Sequence, residues 1–238
     1  MKIIGHRGAR NEAPENTVES FQHASDNGCR HFELDIQLSA DKELMIYHDK
    51  TLKRTSGINE KLSSLPYQIL AETDARLNTP GWPSPCYIPT LDKVILAVPQ
   101  TESWQFEVKT DRRDSLTIIG DKLIRLIKKY DLYEKCHVTS TNKWFLKQLR
   151  LKEPKIQTGF VCEFLYQRPV STCKEIGASL LALNEKLASA KLVAQASQEN
   201  IEISCWTVNT IERIDQLLKF GVESLITDEP SKMLKHYQ

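Results

Sequence analysis

Glu33 and Asp35 stand two positions apart in the run RHFELDIQLSADKELMIYHD, residues 30–49, where a buried strand should be apolar. A third carboxylate, Glu107, occupies the same kind of place in Trp104-Gln-Phe-Glu-Val-Lys109. In the first run Phe32, Leu34 and Ile36 alternate with Glu33, Asp35 and Gln37; in the second, Phe106 and Val108 alternate with Glu107 and Lys109. Strand side chains change face at every residue, so each run puts its carboxylates on one side. Burying three like charges together would cost on the order of several kcal/mol each if nothing compensated them. A hard divalent cation that prefers oxygen ligands offsets both repulsion and desolvation, which makes Glu33, Asp35 and Glu107 candidate metal ligands. The alternative is a network of ion pairs with Arg7 and Lys109 as the cations. His6 closes the first strand-like run and His48 the returning arm after Asp35. Two imidazoles titrating near neutrality can remove one proton and supply another, which suits phosphoryl or acyl transfer. His23, His31, His137 and His236 are read as structural.

For these groups to meet, the chain must fold them onto one face. Ala40-Asp41-Lys42 is turn-like and Glu43 to His48 reads as a returning strand, a β-hairpin that would bring His48 beside Glu33 and Asp35. Taken alone, that hairpin is equally an antiparallel ribbon with one wet face. Around it the pattern is strand then helix. Lys2 to Gly5 is a short strand, and Asn16-Thr-Val-Glu19 has the form of a capping box opening a helix that runs to Gly28. Helices are predicted near residues 90–98, from 110 to about Tyr130, at 144–151, 190–199 and 210–220. Strands are predicted at 104–109, 136–140, 157–162, 180–184, 202–208 and 223–227. A second capping box, Asn209-Thr-Ile-Glu212, precedes the last of these helices, and Gly221 ends it.

Nine strand segments are one more than a closed barrel of eight requires, and the hairpin's returning arm accounts for the surplus. Repeated βα units at this length favour an α/β fold of the (β/α)8 TIM-barrel type over an open doubly wound sheet, whose glycine-rich phosphate turn is absent. Residues 1–238 are then one barrel domain, with 50–89 an inserted segment after the hairpin. That segment holds Pro66, Pro80, Pro83, Pro85 and Pro89, five of the ten prolines, and is too long for a plain loop. It could cap the pocket, hold a second copy in a homodimer, or cover the barrel edge. In a barrel, inward-pointing carboxylates near strand C-termini belong to the active-site face.

Composition narrows the partners. The 238 residues are 40% hydrophobic and 26% charged, and 32 basic side chains against 31 acidic ones leave a net charge of +1. No overall basic field recruits nucleic acid or anionic lipid. No apolar run approaches a membrane span, so stable membrane insertion is not expected. The six cysteines, Cys29, Cys86, Cys136, Cys162, Cys173 and Cys205, show no metal-ligand spacing and are read as reduced core thiols of a cytoplasmic protein.

Eight short motifs occur in order from about residue 3 to 231. They are His6-Arg7-Gly8, Pro14-Glu15-Asn16-Thr17, Glu33-Leu34-Asp35, His48-Asp49 followed by Thr51-Leu52-Lys53-Arg54-Thr55, Ile88-Pro89-Thr90-Leu91, Glu107-Val108-Lys109, Trp206-Thr207-Val208-Asn209 and Thr227-Asp228-Glu229-Pro230. Together they resemble the glycerophosphodiester phosphodiesterase family. The resemblance implies a (β/α)8 barrel that hydrolyses small-molecule glycerophosphodiesters to sn-glycerol 3-phosphate and an alcohol with a bound divalent cation, Mg or Ca. Residue by residue it implies His6 and His48 as the general acid/base pair and Glu33, Asp35 and Glu107 as metal ligands. Arg7 and Lys109 would contact phosphate oxygens, and Glu15 and Trp206 would stand at the pocket wall. Two stretches depart from the pattern at that wall, Thr141 and Asn184-Glu185-Lys186, and bear on head-group preference. Other readings are a lysophospholipase D-like activity, the secreted, disulfide-bonded sphingomyelinase D class, which suits this chain poorly, and a catalytically silent barrel used for binding.

Overall fold

In the computed structural model, which describes residues 1–109 and 112–237, the alternation read from the sequence closes into a barrel. The strands are β1 (Lys2–His6), β2 (His31–Leu38), β3 (Leu44–Ile46), β4 (Ser103–Val108), β5 (Cys136–Ser140), β6 (Gln157–Cys162), β7 (Leu180–Asn184), β8 (Glu202–Trp206) and β9 (Ser224–Thr227). Eight of them run parallel in the order β1-β2-β4-β5-β6-β7-β8-β9, and β1 pairs with both β2 and β9 to close the ring. β3 pairs antiparallel with β2 and stays outside it, so the surplus strand is the hairpin arm.

The two faces of these strands carry different chemistry. Phe32, Leu34, Ile36, Phe106, Val108, Val138, Phe160, Leu181, Leu183, Ile203 and Leu225 join one buried apolar core. The surrounding helices complete it through Phe21, Leu116, Ile119, Leu123, Phe145 and Leu217. The opposite parity faces the barrel axis and is partly polar: Gln105 donates to Ser204 across the interior at 3.1 Å. Charge at positions 33, 35 and 107 is therefore turned away from the apolar core beneath the helices.

Besides the short helices Lys53–Ser56 and Tyr67–Leu70 of the inserted segment, two described helices extend the predicted set, Pro169–Ile176 and Pro230–Tyr237. The first opens with Pro at its first position and ends at Gly177 with φ 68°, a proline start and glycine stop that the sequence does display. The returning arm is shorter than expected, ending at Ile46. Beyond it the Tyr47 amide still donates to the Asp35 carbonyl at 2.9 Å, and Gln37 Nε2 then gathers the carbonyls of Tyr47 (2.9 Å), His48 (3.0 Å) and Asp49 (2.8 Å) as the chain turns away. Both predicted capping boxes shift by one residue. Thr17 caps helix Val18–Asp26 by accepting from Ser20 N, and Thr210 caps helix Ile211–Lys219 by accepting from Arg213 N. The asparagine in front of each is thereby free for other work.

The inserted segment, residues 50–89, builds a second small core with the hairpin arm from Met45, Tyr47, Leu52, Leu62, Leu70, Ala75 and Ile88. It is tied down by the Tyr47 hydroxyl against Thr55 Oγ1 at 2.5 Å and by Ala40 N donating to the Leu65 carbonyl at 2.8 Å.

All six cysteines are free and buried. Burial pushes the thiols of Cys136, Cys173 and Cys205 up to about 12. In mildly alkaline buffer the folded protein should therefore be nearly inert to a disulfide reagent such as DTNB, and guanidinium should release all six thiols together. Rapid labelling of the native protein would contradict the packing described above.

Candidate active site

The turn after β1 is built to hold two side chains in a fixed relation. Arg7 takes φ 53°, a left-handed conformation unusual for a side chain of its size, and Gly8 follows at φ 85°. A Cβ on Gly8 would lie 2.5 Å from Ser20 Oγ, so glycine is required there. The Arg7 amide donates to the Glu33 carbonyl at 3.0 Å, which registers the turn against β2. His6 stands opposite Glu33 in the β1–β2 pairing, and Asp35 stands opposite Glu107 in the β2–β4 pairing. His6 and Glu107 stand at the C-terminal ends of β1 and β4, and the longer β2 carries Glu33 and Asp35 partway along, level with them.

At that level lies a cavity of about 220 Å³ lined by His6, Arg7, Glu33, His48, Glu107, Lys109 and Trp206. A larger cleft, about 380 Å³, sits between helices at the other end of the strands, around Lys2, Glu202 and Glu223, and gathers none of this chemistry. The sequence-predicted set thus converges with two exceptions to the lining: Asp35 is fully buried beneath it, grouped with Glu33 and Glu107, and Glu15 does not line the cavity. Its carboxylate lies behind Arg7, accepting from Arg7 Nη1 at 2.7 Å, Arg54 Nη1 at 2.5 Å and Asn78 Nδ2 at 3.1 Å. It is out of contact with the cavity because three donors from two segments already saturate it. Thr141 and residues 184–186 are likewise absent from the wall, where Thr139, Val161, Glu163 and Ala182 stand instead. Asn184 caps the short turn after β7, and Glu185 is held by Arg213.

Glu33, Asp35 and Glu107 each offer an oxygen, and the three oxygens lie within 4.8 Å of one another. Arg7 Nε sits 3.0 Å from Asp35 Oδ2, and Lys109 Nζ lies 2.6 Å from Glu107 Oε1 and 3.4 Å from Asp35 Oδ1. Both sequence readings are therefore partly realised, since Arg7 and Lys109 do pair with the cluster. Were all three carboxylates ionised, these two cations, one of them shared with Glu15, would still leave surplus negative charge. Glu33 Oε1 and Asp35 Oδ1 are also buried without a hydrogen-bond donor among the described residues. Burial opposes ionisation of Asp35, but Arg7 and Lys109 outweigh it and hold the carboxyl well below the usual range. Burial, Asp35 and Glu107 push Glu33 well above its ordinary value, and burial raises Glu107. Residual negative charge with orphaned oxygen donors is what a hard divalent cation relieves, so the donor set fits Mg or Ca.

Each histidine has its own carboxylate. His6 Nδ1 lies 2.5 Å from Asp228 Oδ1, and His48 Nδ1 lies 2.6 Å from Asp49 Oδ1. With Nδ1–H donating to a carboxylate, Nε2 is the nitrogen left without a hydrogen bond in both rings, that of His6 standing 3.8 Å from Glu33 Oε2. Burial lowers the pKa of His6 against the raising effect of Asp228, and burial also lowers that of His48. Asn209 Nδ2 steadies Asp228 Oδ2 at 2.8 Å, while Asn16 Nδ2 donates to Asp35 Oδ2 at 2.9 Å. Asp49 and Asp228 lie within the sequence motifs, but the motifs alone imply no role for them. For Asp49 adjacency to His48 was the available signal; Asp228 is 222 residues from His6 and meets it only through barrel closure.

A family model, the glycerophosphoryl diester phosphodiesterase family, matches residues 6–232. Among curated relatives, a glycerophosphodiester phosphodiesterase of Caldanaerobacter subterraneus subsp. tengcongensis is 26% identical over 98% of this chain and 96% of its own length. A lysophospholipase D of Homo sapiens is 24% identical over 98% of this chain and 84% of its own. Among solved structures, a phosphodiesterase of Oleispira antarctica in complex with the product sn-glycerol-3-phosphate superposes with a TM-score of 0.91 at 21% identity, covering 100% of this chain and 96% of that one. At that identity it attests the fold.

The Glu15 cluster makes a prediction about acid stability. Burial raises the Glu15 pKa, but the Arg54 hydrogen bonds and Arg7 outweigh it and hold the carboxyl at about 2, against an ordinary 4.5. A depressed pKa contributes stability that is fully present above about 4.5 and lost as pH falls toward 2. Allowing for solvent screening at the half-exposed Arg54, the contribution is about 2 kcal/mol. Urea unfolding followed from neutral pH into that window should show wild type losing this increment and Glu15→Gln, already weaker at neutral pH, descending less steeply. Parallel curves would refute the assignment.

Proposed function

The chain belongs to the glycerophosphoryl diester phosphodiesterase family, and from that membership we propose how its own residues divide the work. The reaction is hydrolysis of a glycerophosphodiester to sn-glycerol 3-phosphate and an alcohol. The observation that carries the assignment is the pair of histidines lining one cavity, each with a carboxylate on Nδ1 and a free Nε2.

Arg7 and Lys109 receive the phosphoryl oxygens, and their charge stabilises the negative charge that grows there. One histidine Nε2 takes the proton of the glycerol 2-hydroxyl as that oxygen attacks phosphorus. The other histidine gives a proton to the departing alcohol oxygen as its bond to phosphorus breaks, leaving a cyclic phosphate. Water opens the ring with the two proton transfers reversed, so each imidazole ends as it began. Asp228 and Asp49 hold the rings in the required tautomer and stabilise whichever one is cationic. Glu33, Asp35 and Glu107 would hold the divalent cation, Mg or Ca, which when bound supplies Lewis-acid polarisation of the phosphoryl oxygens. Trp206 forms part of the wall, and Glu15 acts on the substrate only through Arg7.

The same reading treats residues 1–238 as one barrel domain with 50–89 inserted. It places the protein in the cytoplasm, a compartment that suits six free thiols. Among the described residues no helix is long and apolar enough to cross a membrane.

Release of glycerol 3-phosphate from glycerophosphoethanolamine and glycerophosphoglycerol should be abolished by EDTA and restored by Mg or Ca. His6→Ala and His48→Ala should each lower kcat by about a thousandfold while the metal still raises the melting temperature of either variant. A near-normal rate in one variant would remove that histidine from the mechanism. Activity indifferent to EDTA would remove the metal.

A further inference from the structure

The carboxylates in and around the cavity are nearly all committed. Asp35 and Glu107 pair with Arg7 and Lys109, Glu33 belongs to the three-oxygen cluster, Glu15 is saturated by arginines, and Asp49 and Asp228 hold the histidines. Glu163 is different. It lines the same cavity at its exposed end, yet among the described residues its carboxylate has no ion-pair partner.

Its position is fixed by the fold. On β6, Cys162 packs into the apolar core outside the barrel while Val161 lines the cavity, so Glu163 is the next residue of inward parity. Beyond it the chain makes a short turn, and the backbone amides of Glu163 and Phe164 both donate to Gln167 Oε1 at 2.8 Å. The Phe164 and Tyr166 rings stack on that turn with centroids 5.3 Å apart. An exposed glutamate on a tethered backbone is a fixed negative charge.

The cavity is therefore dipolar. Arg7 and Lys109, buried or nearly so, suit a phosphate; Arg10 also lines the cavity but is matched by Glu15 at 3.5 Å and Asp228 at 3.7 Å, so the charge left unmatched toward the opening is the Glu163 carboxylate, with Trp206 in the wall. A ligand matched to that field is negative inside and positive outside. Resting on the phosphodiesterase reading above, we infer that Glu163 binds a positively charged leaving alcohol, a primary or quaternary ammonium esterified to the glycerophosphate. An aromatic wall adds attraction for such a cation. An uncharged polyol head group would find no corresponding charge to meet.

The test is kcat/KM for glycerophosphocholine, glycerophosphoethanolamine and the neutral-headed glycerophosphoglycerol, in wild type and Glu163→Gln, at low and high salt. At low salt the variant should lose about five- to tenfold on the two cationic diesters, chiefly through KM, and keep glycerophosphoglycerol within about twofold. High salt should shrink the difference, since the site is exposed. Glu163→Lys should deepen the loss on the cationic diesters. An equal loss on all three substrates, or a ratio that the substitution does not move, overturns the Glu163 assignment while the phosphodiesterase reading stands. Folded wild-type protein that hydrolyses none of the three overturns that reading and this inference with it.

Discussion

Glu107, Lys109, Asp35, Arg7, Glu15, Arg54, Asp49 and His48 form a chain of charges of alternating sign. Successive contacts run 2.6, 3.4, 3.0, 2.7, 2.5, 2.7 and 2.6 Å. It begins at the candidate metal ligands and ends at an imidazole of the proposed acid/base pair. The constraint behind it is desolvation. Carboxylates turned toward a barrel axis have lost most of their water, and only opposite charge at contact distance makes their ionised form tolerable. Removing an interior member leaves a neighbour buried and unpaired, which costs more than the pair contributes. The chain is thus rigid for an electrostatic reason as well as a steric one, and Arg7 holds a left-handed backbone within it.

His6 depends on a different contact, and on topology. Asp228 follows β9, the last strand, and reaches the first strand only because β1 and β9 pair along Lys2–Gly5 and Ser224–Thr227. Closure of the barrel and orientation of the histidine are therefore one event. Two Asn-Thr pairs perform matching service on either side. Thr17 and Thr210 cap their helices, while Asn16 and Asn209 turn their amides to Asp35 and Asp228. Asn16 adopts φ 58°, which asparagine tolerates better than most side chains. Each helix start doubles as support for a carboxylate of the site.

Much of this was readable from the chain alone, because period-two alternation in HFELDIQL and WQFEVK fixes which residues share a face before any neighbour is known. Strand count and the hairpin then pointed to a closed barrel. What escaped depends on distances the sequence does not order. The Asp228 partner of His6 is such a case, as is the return of Glu15 to the underside of Arg7. The capping boxes misled by one residue for a local reason: asparagine and threonine are both good caps, and tertiary hydrogen bonds chose between them. Gln37 reads as a third polar residue of the strand face, whereas from within the β2–β3 ladder its side chain holds the carbonyls of the loop that carries His48.

The inserted segment now has a physical place in the site. The small core of residues 50–89 packs on the hairpin arm, and Arg54 extends from the segment's first helix, Lys53–Ser56, to both Asp49 and Glu15. These carboxylates belong to different parts of the barrel, Glu15 to the loop after β1 and Asp49 to the end of the arm after β3. A guanidinium with donors on three nitrogens can bridge two carboxylates in one plane, which a lysine ammonium cannot do with the same geometry. Proline-rich chain suits the task, because restricted φ lowers the entropy lost in fixing a long segment around one side chain. Before His48 the arm is held by the Tyr47 amide on the Asp35 carbonyl and by Gln37 at the carbonyls of residues 47–49. Arg54 supplies a further hold, through Asp49, and ties that histidine to the charge chain centred on Arg7.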